Sequence, residues 1–323
     1  MYADRFPQYR ETGFYRRVLD WTVSSLGIGT YLGGVDDASD AAYTDALIAA
    51  GENGINFFDS AINYRHQRSE RSIGAALKRL NRDEIVVCTK AGFLTPGAIP
   101  SSLTAADVVG RMHSMAPDFL ADQIERSRGN LGVDTIDVFY LHNPETQLGY
   151  VSREEFEARI RAAFARLEEL VAQGKIRYYG AATWDGFRKP GQLSLPRLVE
   201  IAAEAGGAQH HFRLIQLPFN LGMVEAFVEK PESVLAAAAR LGIAAIASAT
   251  LLQTRVLDQM PDAVAELLPG LESNAQRAIQ FTRSTPGISV ALVGMSRREH
   301  VLENLGVARV PSATPAQYLR LFQ

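Results

Sequence analysis

Residues 136–183 read IDVFYLHNPETQLGYVSREEFEARIRAAFARLEELVAQGKIRYYGAAT. The opening run, Ile136–His142, is apolar on nearly every residue rather than on alternate ones, the pattern of a strand covered on both faces. In Arg153–Gln173 the apolar residues Phe156, Ile160, Phe164 and Leu167 recur every three or four positions, as on one face of a helix. Gly174 then supplies a stop, and Ile176–Thr183 is again a β-branched and aromatic run. A strand, a crossover helix and a second strand make one βαβ unit of a parallel sheet.

The unit repeats in both directions. Further strands are expected at Ser25–Thr30, Ile55–Ser60, Ile85–Lys90, Leu214–Phe219, Ile243–Ser248 and Ile288–Gly294. Helices are expected at Asp40–Asn53, Ser69–Leu80, Pro117–Leu131, Pro196–Ala205, Pro231–Leu241, Asn274–Ser284 and Arg297–Leu305. Eight strands alternating with eight helices predict a closed (β/α)8 barrel, with residues 1–323 as a single domain. An open doubly wound sheet would want a glycine-rich phosphate loop behind its first strand. Gly27, Gly29, Gly33 and Gly34 lack that spacing, and no helical pattern starts directly after them. Tyr15–Val23 reads as a small hairpin closing the barrel bottom. Three stretches after strand C-terminal ends exceed the usual connection length, Gly92–Ala116, Asn143–Ser152 and Trp184–Leu195, and are expected to wall a pocket on that face.

Composition narrows the class of partner. With 47% hydrophobic and 21% charged residues the chain can bury a large core, and a net charge of -3 gives no electrostatic footprint for nucleic acid or an anionic membrane. A lone cysteine, Cys88, excludes an internal disulfide, and no paired-Cys metal spacing occurs. The expectation is a cytoplasmic protein with a small-molecule ligand, no metal and no membrane span.

The polar residues within the apolar strands fall at their C-terminal ends. Asp59 closes the second strand and Tyr64 follows it; Lys90 ends the third and His142 the fourth. Taken singly, such a Lys or Asp is a solvated terminus or a cap, and such a His a core residue with its bonds satisfied. Together, at three adjacent strand ends, they suit the reduction of a carbonyl. The alkoxide left by hydride addition needs a proton from a positioned acid. The Tyr64 phenol can give it, Lys90 is expected to lower the phenol pKa, Asp59 to keep Lys90 charged, and a neutral His142 to donate to the carbonyl oxygen. A strand-end Lys also serves aldolases as a Schiff-base nucleophile, a rival reading.

The chain resembles the aldo-keto reductases over nearly its whole length. The segments that carry the resemblance are Gly54–Tyr64, Val87–Lys90, Leu131–Asn143, Gln216–Asn220 and Gly294–Asn304. It implies a catalytic tetrad of Asp59, Tyr64, Lys90 and His142. It also implies a nicotinamide cofactor, NADP(H) favoured and NAD(H) the alternative, held at its carboxamide by Asn143, Thr183 and Gln216. Thr30, Gly294, Ser296, Arg297 and Arg298 complete the expected cofactor set, the two arginines as partners for a 2'-phosphate and the segment after the eighth strand as a receiver of phosphate; Glu303 and Asn304 match the family's adenine contacts.

This sequence departs from the family pattern at Ala182, where Ser is usual, at Thr183, where Asn is common, and at Ser248–Leu251, where many relatives have a stacking aromatic. Candidates for the substrate wall are Tyr31, Phe93, His113, Tyr150 and Trp184. With only a short tail after the eighth helix, the Gly92–Ala116 stretch is the expected lid, and a sugar or related polar aldehyde the expected substrate class. The resemblance includes potassium-channel β-subunits, so a cofactor-binding sensor or accessory subunit with little turnover is the second reading.

Overall fold

The structure, a computed structural model, describes residues 1–258 and 260–322. The apolar runs form eight parallel strands: β1 (Leu26–Gly29), β2 (Phe57–Asp59), β3 (Val86–Ala91), β4 (Ile136–His142), β5 (Ile176–Ala182), β6 (Phe212–Pro218), β7 (Ala244–Ser248) and β8 (Ile288–Gly294). Each pairs with the next along the chain, and β8 pairs back onto β1 to close the barrel. Between them run α1 (Asp37–Glu52), α2 (Arg68–Leu77), α3 (Pro117–Leu131), α4 (Arg153–Ala172), α5 (Leu195–Gly206), α6 (Val234–Leu241) and α7 (Asn274–Ser284), and α8 (Arg298–Asn304) follows β8. Every expected strand and helix is present, its ends shifted by no more than a helical turn.

Capping explains most of the shifts. The Asp36 side chain accepts from the Ser39 N–H at 2.7 Å, so α1 starts a turn earlier than the apolar pattern indicates. Ser233 caps α6, which starts after Pro231 rather than on it. At the other ends Gly132 and Gly242 take left-handed conformations, φ 66° and 67°.

Strand side chains alternate between two environments. Phe57, Val86, Cys88, Val138, Tyr140, Leu214, Ile246 and Leu292 fill the barrel interior. Phe58, Val87, Phe139, Leu141, Tyr179, Ile215 and Leu217 face the helices. The expected hairpin, Tyr15–Val18 with Trp21–Ser24, lies at the barrel bottom, and its Val18 and Val23 join the interior cluster. Among the described residues no helix is long and apolar enough to cross a membrane.

The interior is full because one position is empty. A Cβ at Gly180 would stand 2.1 Å from the Leu214 carbonyl oxygen and 2.9 Å from Tyr140 Cδ1. Gly180→Ala should therefore push β5 from β6 and cost on the order of 3 kcal/mol, read as a lower urea midpoint. An unchanged midpoint would show that the two strands separate freely.

Candidate active site

The barrel register decides which polar side chains meet. Gly29 pairs with Asp59, Lys90 with Tyr140, His142 with Ala182, and Ala182 with Gln216. With alternation this brings Asp59, Lys90, His142 and Gln216 to the C-terminal mouth, where Tyr64 arrives from the turn after β2. Lys90 Nζ donates to Asp59 Oδ1 at 2.5 Å and to the Ser60 carbonyl at 2.6 Å. Gln216 Nε2 donates to the second carboxylate oxygen at 2.8 Å. Thr30 Oγ1 donates to the Asp59 carbonyl at 3.1 Å. The Lys90 ammonium is 5.0 Å from the Tyr64 ring centroid, and the His142 ring stands edge-on to Tyr64 with centroids 5.7 Å apart.

Burial sets the protonation states. Desolvation works against the Lys90 ammonium, but Asp59 and Tyr64 outweigh it and hold the pKa above its usual value. Burial pushes the Tyr64 phenol up; Lys90 opposes this, while Asp59 and Tyr31 add to it. Lys90 thus pulls the phenol down in the expected direction, and burial, the larger effect, carries the net shift upward. Burial, with help from the Lys90 charge and His113, drives His142 well below the ordinary imidazole value, so the ring is neutral.

A cavity of about 660 Å3 opens over these groups. Thr30, Tyr31, Asn143, Thr183, Trp184, Gln216 and Gly294 line it together with Asp59, Tyr64 and His142, as does Phe93. Gln216, an expected carboxamide contact, is bonded to Asp59 through its NH2. Trp184 is fixed from behind: buried Glu145 Oε1 accepts the backbone N–H groups of Trp184, Asp185 and Gly186 at 2.8, 3.0 and 3.1 Å. A second cavity of about 710 Å3 lies at the opposite end, around Arg17, Trp21, Arg82 and Asp137, away from every group of the tetrad.

Two expectations about the wall fail. His113 does not line the cavity. The 92–116 stretch doubles back on itself, Val108–Val109 pairing with His113–Ser114, and buries His113 behind β4. There Arg159 Nη1 donates to Gln147 Oε1 at 2.8 Å, which leaves the Gln147 NH2 to donate to His113 Nδ1 at 2.9 Å. His113 Nε2 therefore carries the hydrogen and donates to the His142 carbonyl at 2.8 Å. Burial drives its pKa down to about 4. Gly92 leaves room for this contact, since a Cβ there would lie 2.5 Å from that carbonyl. Tyr150 is the second: it is exposed and packs on Gly110, outside the cavity. Of the expected lid only Phe93 reaches the lining.

That share passes to Ser248–Thr254, the start of the long connection from β7 to α7. Ala249, Leu252, Gln253 and Thr254 there have positive φ. Apart from the note on Ser248–Leu251, sequence reasoning missed this wall. The interval between the expected strand and helix, as long as the 92–116 stretch, was the available signal. Asn63 and Leu32 also line the cavity and were not expected.

The remaining expected residues follow β8. Ser296 is half-buried, Arg297, Arg298 and Glu303 are exposed, and Asn304 is buried. Arg298 makes one long ion pair, 3.7 Å to Asp45. Several buried polar atoms here lack protein partners, among them His142 Nδ1, Thr183 Oγ1, Thr250 Oγ1 and Asn304 Oδ1. Such atoms are seldom left unbonded, and a polar ligand at the mouth and along the segment after β8 would satisfy them. Among the described residues no cluster of three or more His, Cys, Asp or Glu is disposed to hold a metal.

The sequence profile of the Aldo/keto reductase family matches residues 25–321, and the chain belongs to that family. An NADH-specific methylglyoxal reductase from Escherichia coli is 31% identical over 173 residues, 51% of this chain and 50% of that protein. A D-threo-aldose 1-dehydrogenase from Pseudomonas is 34% identical over 42% of this chain and 41% of its own length, so the chain spans about half or less of these relatives. Among solved structures, an aldo/keto reductase from Klebsiella pneumoniae in complex with NADP and acetate superposes with a TM-score of 0.68 at 21% identity, over 93% of this chain and 92% of that one. The Gluconobacter oxydans glycerol dehydrogenase gives 0.69 at 19%, over 96% and 94%. At these identities the structures speak for the fold.

The electrostatics give a direct check. The His142 imidazole should not titrate between about pH 6 and 8 in a side-chain NMR titration. A His142 resonance moving through that window would refute the neutral-ring assignment.

Proposed function

We propose that the chain is an NAD(P)H-dependent oxidoreductase that interconverts an aldehyde or ketone with its alcohol, with Tyr64 as general acid and base. The observation that carries this reading is the buried Lys90–Asp59 pair set 5.0 Å from the Tyr64 ring, with neutral His142 on its other side.

The cofactor, when bound, supplies the hydride. Asn143, Thr183 and Gln216 would hold its carboxamide end, and Thr30, Gly294, Ser296, Arg297, Arg298, Glu303 and Asn304 the remainder. The orphaned Thr183 and Asn304 oxygens fit that assignment. Gln216 can serve with its carbonyl oxygen while its NH2 stays on Asp59. The exposed guanidinium of Arg297, and that of Arg298 with its one long pair to Asp45, favour NADP(H), while the match to an enzyme named as NADH-specific keeps NAD(H) as the alternative.

His142 orients the carbonyl oxygen by donating an N–H, and charge growing on that oxygen strengthens the bond. Tyr64 Oη then gives its proton to the alkoxide. The phenolate left behind is stabilised by the Lys90 ammonium, which Asp59 and the Ser60 carbonyl hold in place. Tyr31, Phe93 and Trp184, with Leu32 and Asn63, wall the substrate side, a lining suited to a small carbonyl compound, sugars included. The same reading takes residues 1–323 as one domain in the cytoplasm. An accessory or sensor role is the second reading. A Schizosaccharomyces pombe chain named for a voltage-gated potassium channel β subunit is 25% identical over 91% of this chain and 87% of its own.

Fluorescence titration with NADPH and NADH, followed by loss of nicotinamide absorbance over a panel of aldehydes and sugars, separates the readings. Binding with turnover supports the enzyme, binding without turnover the accessory role, and no binding undoes both. Tyr64→Phe should lower kcat for reduction on the order of 10²- to 10⁴-fold with cofactor affinity nearly unchanged; a matching loss of affinity would remove the proton-donor role. Reduction needs the protonated phenol, so its rate falls as pH rises through that pKa. Because burial holds the phenol above its usual value, kcat should stay level through neutrality and decline only above about pH 10. A decline centred near neutral pH would contradict this.

A further inference from the structure

The turn after Tyr64 is built from residues that disfavour it. Arg65, His66 and Gln67 have φ of 49°, 53° and 72°, left-handed values that glycine takes freely and these side chains resist. The Arg65 side chain holds the turn. It is 1% exposed, its Nε donates to the Gly34 carbonyl at 2.7 Å, and its Nη2 donates to the Asp36 carbonyl at 3.4 Å and to Asp40 Oδ1 at 2.5 Å. The guanidinium also lies 5.1 Å from the Tyr43 ring centroid.

Two of these partners, Gly34 and Asp36, belong to the loop that carries Tyr31, and the other two, Asp40 and Tyr43, to the first turns of α1 that follows it. Tyr43 Oη donates to the Leu32 carbonyl at 2.5 Å, and Arg68 Nη1 braces the other Asp40 oxygen at 2.5 Å. At Gly33, with φ of 121°, a Cβ would come within 3.2 Å of the Tyr43 ring and 3.5 Å of Arg65 Nε, so the loop has closed tightly on the clamp. Above it the Tyr31 ring packs on Tyr64 with centroids 4.9 Å apart.

We propose that Arg65 is a positioning residue: it ties the left-handed turn after Tyr64 to the Tyr31–Asp36 loop and thereby fixes both the direction of the Tyr64 hydroxyl and the aromatic wall beside it. This rests on the reading of Tyr64 as proton donor. Arg65 itself does not line the cavity. The planar fork of Arg65 spans two carbonyls and a carboxylate, which the single ammonium of a lysine does not reproduce. Loss of the clamp lets water in between Tyr31 and Tyr64.

Two variants test this. Arg65→Gly suits the positive φ and removes the clamp but also frees the backbone there; Arg65→Lys keeps the charge and a β-carbon, loses the fork, and so reports the loss of the clamp without the added freedom. In Arg65→Gly, amide hydrogen exchange over residues 31–36 should quicken on the order of tenfold while β3 and β4 exchange as before. The Tyr64 phenol, read as the ultraviolet difference between each protein and its Tyr64→Phe counterpart, should titrate at lower pH than in the parent as water reaches it. In NADPH-dependent reduction of DL-glyceraldehyde the aldehyde KM should rise on the order of tenfold with cofactor affinity unchanged, and Arg65→Lys should fall between. Exchange and phenol titration need no turnover, so they decide the role of Arg65 independently of the reaction. Absent turnover in the parent counts against the proposed function alone. Arg65→Gly with both readings unchanged overturns the proposal, as does exchange quickened equally in every strand, which marks a fold defect.

Discussion

The Lys90–Asp59 pair is the constraint on which the site depends. Two opposite charges sit almost wholly out of water, and removing either partner would strand the other at a cost of about 3–5 kcal/mol. Neither can be held by the pair alone. The carboxylate needs Gln216, the ammonium needs the Ser60 carbonyl, and Thr30 secures the Asp59 backbone. Strands β1, β2, β3 and β6 are thereby committed to one register at the mouth, and the phenol and imidazole beside the pair are kept neutral chiefly by burial.

Around that pair the fold fixes direction with backbone rather than bulk. Asn143, directly after His142, has φ of 48°, and three consecutive left-handed residues follow Tyr64. Non-glycine residues in this region each cost roughly 1–3 kcal/mol and persist only where their surroundings dictate them. At Asn143 those surroundings are the His113 bond to the His142 carbonyl and the Asn143 N–H donated to the Ala182 carbonyl at 2.6 Å. Rigidity at the mouth is assembled from side chains that never enter it.

Much of this was legible in the sequence, because the period of apolar residues is a direct image of burial on a strand or a helix. Ile136–His142 and Asn274–Ser284 could be bounded to the residue. Asp59, Tyr64, Lys90 and His142 stood out as polar residues at the ends of apolar strands, and closure of the barrel is what brings them together. His113 was misplaced because nothing local tells a loop residue facing a cavity from one buried by the loop's own antiparallel turn. Beyond the departure noted at Ser248–Leu251, this wall was overlooked because the run has neither strand nor helix period, and its positive φ values fall on Ala249, Leu252, Gln253 and Thr254 without a glycine to announce them. The net upward push on Tyr64 was illegible for a third reason: desolvation depends on everything packed around the ring, whereas the sequence displays only the neighbouring charge.

Tyr140 and Cys88, described above as interior packing, also form the floor beneath Lys90. Both are fully buried, and burial holds each of them far from ionising. Directly beneath Lys90, then, the described residues offer two groups that do not readily ionise. In the proposed reaction the direct path by which the phenol regains its hydrogen ion is the opening that admits the carbonyl compound and releases the alcohol, since Tyr64 lines that cavity. Recharging the acid and exchanging the ligand then share one passage, and a mouth that closed more tightly around its ligand would slow both together.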